Sequence, residues 1–276
     1  MILLDWQQNK KLELKYRELL RSIIRIIENA IKGLKDHMEM NRALQEIANS
    51  EDYQKLTYLI AKRFVTSANT IDARTWREAA RAGSKSRRIY DDLLSTMNTH
   101  IGVTVNQKIL ENANLIKTLP LDLSRELTRF IGTKVYAGIR ASDIAEALEG
   151  KLFQYTRAKA NTIARTEASK AMTALTEARA KDVGVNWYIW KTANDGQRVR
   201  KSHQNMQGVL VRFDDPPSPE ALIHEHNVGH YNAGNIYNCR CFPRPVINLD
   251  TVKWPSRVYY GGTIRVMTKL QFQKIM

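Results

Sequence analysis

Apolar residues recur at alternating gaps of four and three from Leu12 through Tyr16, Leu19, Ile23 and Ile26 to Ala30, and Leu20, Ile27, Ile31 and Leu34 widen the stripe. This is the 3.6-residue period of a long amphipathic helix, whose apolar side has to pack against other helices. The same period predicts helices over 37–48, 52–66, 71–82 and 84–117. The last of these carries Ile89, Leu93, Met97, Ile101 and Ile109, with an interruption expected at Gly102, Val103, Thr104 and Val105. Pro120 is expected to end this run and Ser124 to cap a further helix reaching about Tyr136. Ser142 has the chemistry of an N-cap for a short helix, with Asp143 and Glu146 near its positive end. A longer helix is expected from about Thr156 to Lys181, with Ala164, Ala168, Met172, Leu175 and Ala178 along one side and Gly184 placed to end it in the left-handed conformation.

After Gly184 the period changes. Val185, Trp187, Ile189 and Thr192 belong to a stretch rich in β-branched and aromatic residues, and Gly208 to Phe213 and Cys241 to Ile247 offer two more short strands. The last segment, with Trp254, Tyr259, Tyr260, Gly261-Gly262, Ile264 and Val266, reads as a hairpin or a strand, packed on its own domain or offered to a neighbouring sheet. The expected fold class is α+β: a mostly helical N-terminal region, then a small C-terminal domain with a short antiparallel sheet. The division expected is 1–120, 121–250 and a strand-like tail over 251–276.

Charge sharpens this picture. The 276 residues hold 43 Lys and Arg against 28 Asp and Glu, a net charge of +15. Residues 151–276 carry 19 basic and 9 acidic side chains, a net +10, and residues 1–150 carry 24 and 19, a net +5. Six of the seven prolines fall between Pro216 and Pro255, so the cationic half is also the turn-rich one. Such an imbalance favours a polyanionic partner such as nucleic acid. No run approaches the roughly 18 apolar residues of a membrane span, and Met1 to Lys11 lacks the order of a signal peptide. The only cysteines, Cys239 and Cys241, make no disulfide framework, and a reducing cytoplasm is expected.

The candidate chemistry lies in the cationic half. On a strand, Cys239 and Cys241 would project to one face and Arg240 to the other. Three readings stand: a structural zinc ion held with His203 and one of His224, His226 or His230; two reduced core thiols; or a disulfide, strained at this separation. Arg165 and Glu167 lie two apart on a helix and do not face each other. Arg165 is expected to pair with Asp195, and Glu167 with Arg198 or Arg200, bracing the helix against the strand layer. Arg198, Arg200, Lys201, Arg212, Arg240 and Arg244 are the candidate contacts to DNA phosphates, through charge and without sequence readout.

Three segments stand in order: Ala164-Arg165-Thr166-Glu167; Asp195 to His203 running on to Gly208; and Asn238-Cys239-Arg240-Cys241. Together, over about residues 125–247, they resemble the phage head morphogenesis family, the minor head proteins typified by the F protein of bacteriophage Mu. The resemblance implies a virion protein of the head interior, made in the host cytoplasm, associated with the portal and with head shell or scaffold proteins, and engaged with double-stranded DNA during packaging or delivery.

A metal-dependent His-Asn-His nuclease is the rival, because His203, His224, His226, Asn227, His230 and Asn238 cluster in sequence beside the cysteines. The proline-spaced stretch after Cys241 offers no helix to complete such a site. The G-x-S-x-G elbow and the phosphate loop are absent from the sequence. The expectation is therefore a protein without catalytic activity and without a membrane partner. A DNA-binding accessory protein outside the virion is the other alternative.

Overall fold

The structure is a computed structural model that describes residues 6, 10–82, 100–137, 139, 141–193 and 199–276. It divides into two compact units: residues 10–66 with 107–164, and residues 1–9, 67–106 and 165–276.

The first unit is helical. Helix α1 (Lys10–Ile31) buries Leu12, Tyr16 and Ile23 of the predicted stripe together with Leu20, Ile27 and Ile31, which widened it, and Ile24 beside them, whereas Ile26 is exposed. Helix α2 (His37–Asn49) begins at Asp36, whose side chain accepts from the Met38 amide. The two helices expected over 52–66 and 71–82 are one, α3 (Glu51–Ala82), because the residues between them include neither glycine nor proline. Helix α4 (His100–Lys117) runs unbroken through Gly102 to Val105, so the expected interruption is absent. The part of that predicted helix carrying Ile89, Leu93 and Met97 lies outside the described residues. Pro120 does not end the run. It sits in the first turn of α5 (Leu119–Tyr136), where a missing amide costs nothing, and Ser124, expected as a cap, lies inside that helix and donates to Asn41 Oδ1 at 2.7 Å. Tyr16 stacks on Phe64 at 3.8 Å between centroids and donates to Asn112 Oδ1 at 3.0 Å, joining α1, α3 and α4.

Helix α6 (Ala141–Asp182) is likewise one element where two were expected, and residue 142 lies within it rather than capping a separate helix. Alanine is the strongest helix former, and from residue 158 onward α6 carries Ala158, Ala160, Ala164, Ala168, Ala171, Ala174, Ala178 and Ala180. It ends as expected at Gly184, at φ +71°: the Gly184 amide donates to Lys181 O and the Val185 amide to Ala180 O, satisfying the last carbonyls.

The second unit holds a five-stranded sheet in the order β3-β1-β2-β4-β5, formed by β1 (Trp187–Lys191), β2 (Leu210–Arg212), β3 (Phe242–Pro245), β4 (Ser256–Tyr260) and β5 (Thr263–Met267). The α+β class holds, but the sheet is mixed: β2 and β4 are parallel, and the other neighbours antiparallel. The terminal segment is the β4–β5 hairpin of this same sheet, turning at Gly261-Gly262. A short helix, α7 (Lys201–Met206), precedes β2, and α8 (Lys269–Gln273) follows β5. Strand alternation gives the sheet two apolar faces. Tyr188 and Trp190 join Trp6, Trp76, Ala180, Val209 and Val211 in one cluster, while Trp187 joins Leu210, Val258, Met267 and Phe272 in the other.

Candidate functional site

A stripe of hydroxyl residues on α6 positions the site. Thr166, Ser169, Thr173 and Thr176 follow one another at gaps of three, four and three, which places them on one helical face. Thr166 Oγ1 accepts from the Asn238 amide at 3.0 Å, Ser169 Oγ donates to Cys239 O at 2.8 Å and Thr173 Oγ1 donates to Ala233 O at 2.8 Å. The segment 233–241 has little regular structure of its own, and these bonds take up backbone groups that a strand would have paired. The chain lies so close to the helix that a Cβ on Gly234 would stand 2.6 Å from both Thr173 Oγ1 and Cys241 O. Asn238 adopts φ +55°, a conformation that asparagine tolerates better than most residues, and its side chain accepts from Arg165 Nη1 at 2.8 Å.

This anchoring turns both thiols inward. Cys239 and Cys241 precede β3 rather than lying on it, and neither is in a disulfide. Helix α7 turns Ser202 and His203 into the interior and leaves Lys201 and Gln204 in solvent. His203 Nδ1 then lies 3.5 Å from Cys239 Sγ and 3.4 Å from Cys241 Sγ. All three side chains are buried, and their ligating atoms lie within 4.8 Å of one another, a group that could hold a metal ion.

The other side of the imidazole is fixed as well. His203 Nε2 stands 2.9 Å from Tyr231 Oη, which lies 2.8 and 2.7 Å from the Glu220 carboxylate oxygens. Ser202 Oγ also donates to Glu220, at 3.0 Å. Since the phenol proton goes to the carboxylate, Tyr231 Oη accepts from Nε2–H, and in the neutral ring Nδ1 keeps its lone pair toward the sulfurs. Burial and the Glu220 carboxylate hold the Tyr231 hydroxyl well above the usual phenol range, so it stays a donor. The hydrogen bond from the Cys241 thiol draws the Cys239 thiol well below its ordinary value, and the same bond together with burial pushes Cys241 up.

His203, Cys239 and Cys241 line a cavity of about 300 Å³ that is also lined by Arg165, Arg200 and Arg240. Of the other residues singled out from the sequence, Arg200 donates to Tyr237 O at 2.9 Å and Lys201 is exposed. Arg212 on β2 grips Asp214 at 2.9 and 2.7 Å, and Arg244 lies on β3, half-buried. Glu167 is buried, with Lys170 Nζ 3.4 Å away. Asp195 and Arg198 lie outside the described residues. The histidines offered as a fourth zinc ligand do not join the group. His224 and His226 are exposed, and His230 Nδ1 bonds to Pro216 O at 2.9 Å. Asn227 Oδ1 is occupied by Ser218 Oγ and the Gly229 amide.

Sequence reasoning missed Glu220 and Tyr231, which carry no motif, and the Thr-Ser-Thr-Thr stripe, whose helical spacing was legible.

Residues 127–243 match the family model of Phage Mu protein F like protein. The chain is also similar to an uncharacterized protein of Haemophilus influenzae, 23% identical over 265 residues that cover 88% of this chain and 55% of the relative. The chain thus spans about half the length of that relative. No solved structure matches it.

Proposed function

We propose, for a chain whose residues 127–243 belong to the Phage Mu protein F like family of head morphogenesis proteins, that it is a minor head protein of a tailed bacteriophage, built into the head beside the portal. It contacts duplex DNA without sequence preference during assembly, packaging or ejection. The contact is electrostatic. Arg200 caps α7 and Lys201 begins it, Arg212 ends β2, Arg240 lies in the segment leading into β3 and Arg244 on β3, within a half of the chain that carries a net +10. Side chains of this kind neutralise phosphates and release counterions, which needs neither base readout nor turnover. The helical region supplies the surface that meets the portal and the head shell or scaffold proteins. The same reading includes a structural zinc ion, held by His203, Cys239 and Cys241, as the fastener of the domain.

The observation that carries this reading is the family match over residues 127–243, most of which lie in the cationic half, together with the three arginines around one cavity. Against the nuclease reading stands the surroundings of His203: it is buried at 2% exposure between two thiols and a tyrosine, and His224, His226 and His230 do not join it. The test is twofold. The full chain should copurify with the portal protein encoded in the same genome, and it should retain duplex DNA without cutting it in Mg²⁺, Mn²⁺ or Zn²⁺. Cleavage that vanishes on His203→Ala would overturn the reading.

A further inference from the structure

We infer that the metal site is open: zinc has three protein ligands, His203 Nδ1, Cys239 Sγ and Cys241 Sγ, and its fourth position faces the arginine-lined cavity and takes a phosphate oxygen. This rests on the zinc reading above and adds an exogenous ligand to it.

Geometry gives the first support. Zinc–nitrogen and zinc–sulfur bonds of about 2.05 and 2.3 Å at a tetrahedral angle separate N and S by about 3.6 Å. The two N···S separations are 3.5 and 3.4 Å, within a few tenths of an ångström of that value, and all three ligand atoms lie within 4.8 Å of one another. The second support is the tautomer. A ligating histidine needs an unprotonated nitrogen toward the metal and a partner for its other N–H; here Nε2 meets Tyr231 and, through it, the Glu220 carboxylate. The Cys241 amide donates to Cys239 Sγ at 3.3 Å, a bond that stabilises a thiolate.

The open position follows from what surrounds the three atoms. No fourth histidine, cysteine or carboxylate joins the group among the described residues. All three ligands line the same cavity as Arg165, Arg200 and Arg240, and its volume of about 300 Å³ exceeds what one water needs. Two thiolates balance the charge of Zn²⁺, and Arg165, Arg200 and Arg240 line the same cavity as the ligand set. A phosphate oxyanion satisfies both parts, one oxygen on zinc and the others toward the arginines. Free phosphate and the backbone of DNA present the same group.

The test uses the untagged full chain. Metal analysis should give one zinc per chain. Replacement by Co²⁺ should give a tetrahedral visible spectrum with sulfur-to-cobalt charge-transfer bands, which weaken in both Cys239→Ser and Cys241→Ser. Inorganic phosphate should then shift the visible bands at constant ionic strength. Arg200→Gln should weaken that response several-fold while leaving one metal per chain. A duplex oligonucleotide that produces the same shift identifies the DNA backbone as a source, and a shift with phosphate alone identifies the free ion. Absence of stoichiometric metal, or charge-transfer bands that survive both cysteine substitutions, would overturn the zinc reading itself. Bound metal whose spectrum ignores both phosphate and the duplex would overturn only the open position.

Discussion

Arg179 and Asp72 are 107 positions apart in the chain, yet they form an ion pair in which neither side chain is more than 1% exposed. Thr176 Oγ1 donates to the same carboxylate at 2.6 Å, and Arg179 also reaches the Asn69 side chain. The pair ties the end of α3 to the C-terminal part of α6, on which the hydroxyl stripe and hence the Cys-Arg-Cys segment depend. Arg179→Met should therefore cost about 3–5 kcal/mol, because it leaves a buried carboxylate uncompensated. The double variant Asp72→Asn, Arg179→Met should cost much less than the sum of the single changes. Chemical denaturation of the four proteins checks both.

Gly234→Ala should disturb the site through its scaffold. The new Cβ would meet Thr173 Oγ1 and Cys241 O at 2.6 Å, on a backbone at φ +88°. A loss of about 1–3 kcal/mol in thermal or chemical unfolding is expected, with weaker metal binding. Gly150→Ala, on α6 with nothing within 4 Å of the added carbon, is the control and should be neutral or stabilising.

The shell behind the imidazole should matter to the metal without touching it. Tyr231→Phe removes the acceptor for His203 Nε2–H, and Glu220→Gln removes the carboxylate that orients Tyr231. Each should weaken zinc affinity about 10- to 100-fold, as outer-shell substitutions do, in competition with a chromogenic chelator. Unchanged affinity in both would mean that the tyrosine and carboxylate serve packing alone.

Surface ion pairs should matter little and only above acidic pH. Two hydrogen bonds from the Arg212 guanidinium hold the Asp214 carboxyl below the usual carboxylate range. A carboxylate depressed in this way adds stability above its unfolded value, about 3.9, and loses it as pH falls through the folded one. Because the side chains are 37% and 55% exposed, solvent screening keeps the contribution under about 1 kcal/mol. Asp214→Asn should lower the melting temperature slightly at pH 6, and the difference from the wild type should shrink below about pH 4.

Much of this was legible in the sequence where a period repeats. The α1 stripe, the turn at Gly184, the three strands around Trp187, Val211 and Pro243, and the terminal hairpin follow from apolar spacing and turn residues. Helix boundaries were harder to read, because a proline in a first turn and a serine inside a helix look like a stop and a cap. The grouping of Cys239, Cys241 and His203 was legible from residue chemistry. Its shell was not: Glu220 and Tyr231 reach the site from an irregular loop whose course follows from tertiary packing, and the sequence offered His224, His226 and His230 alike as the fourth ligand of a zinc ion, which none of them joins.

The central claim is that the cationic half grips DNA by its phosphates, and binding of a random-sequence duplex across a salt series tests it most directly. The logarithm of the binding constant should fall linearly with the logarithm of salt concentration, with a slope near −0.9 per phosphate contacted. Arg200→Gln and Lys201→Gln should each reduce that slope by about one and weaken all sequences alike. Absence of binding in dilute buffer, or binding indifferent to salt, would contradict the account.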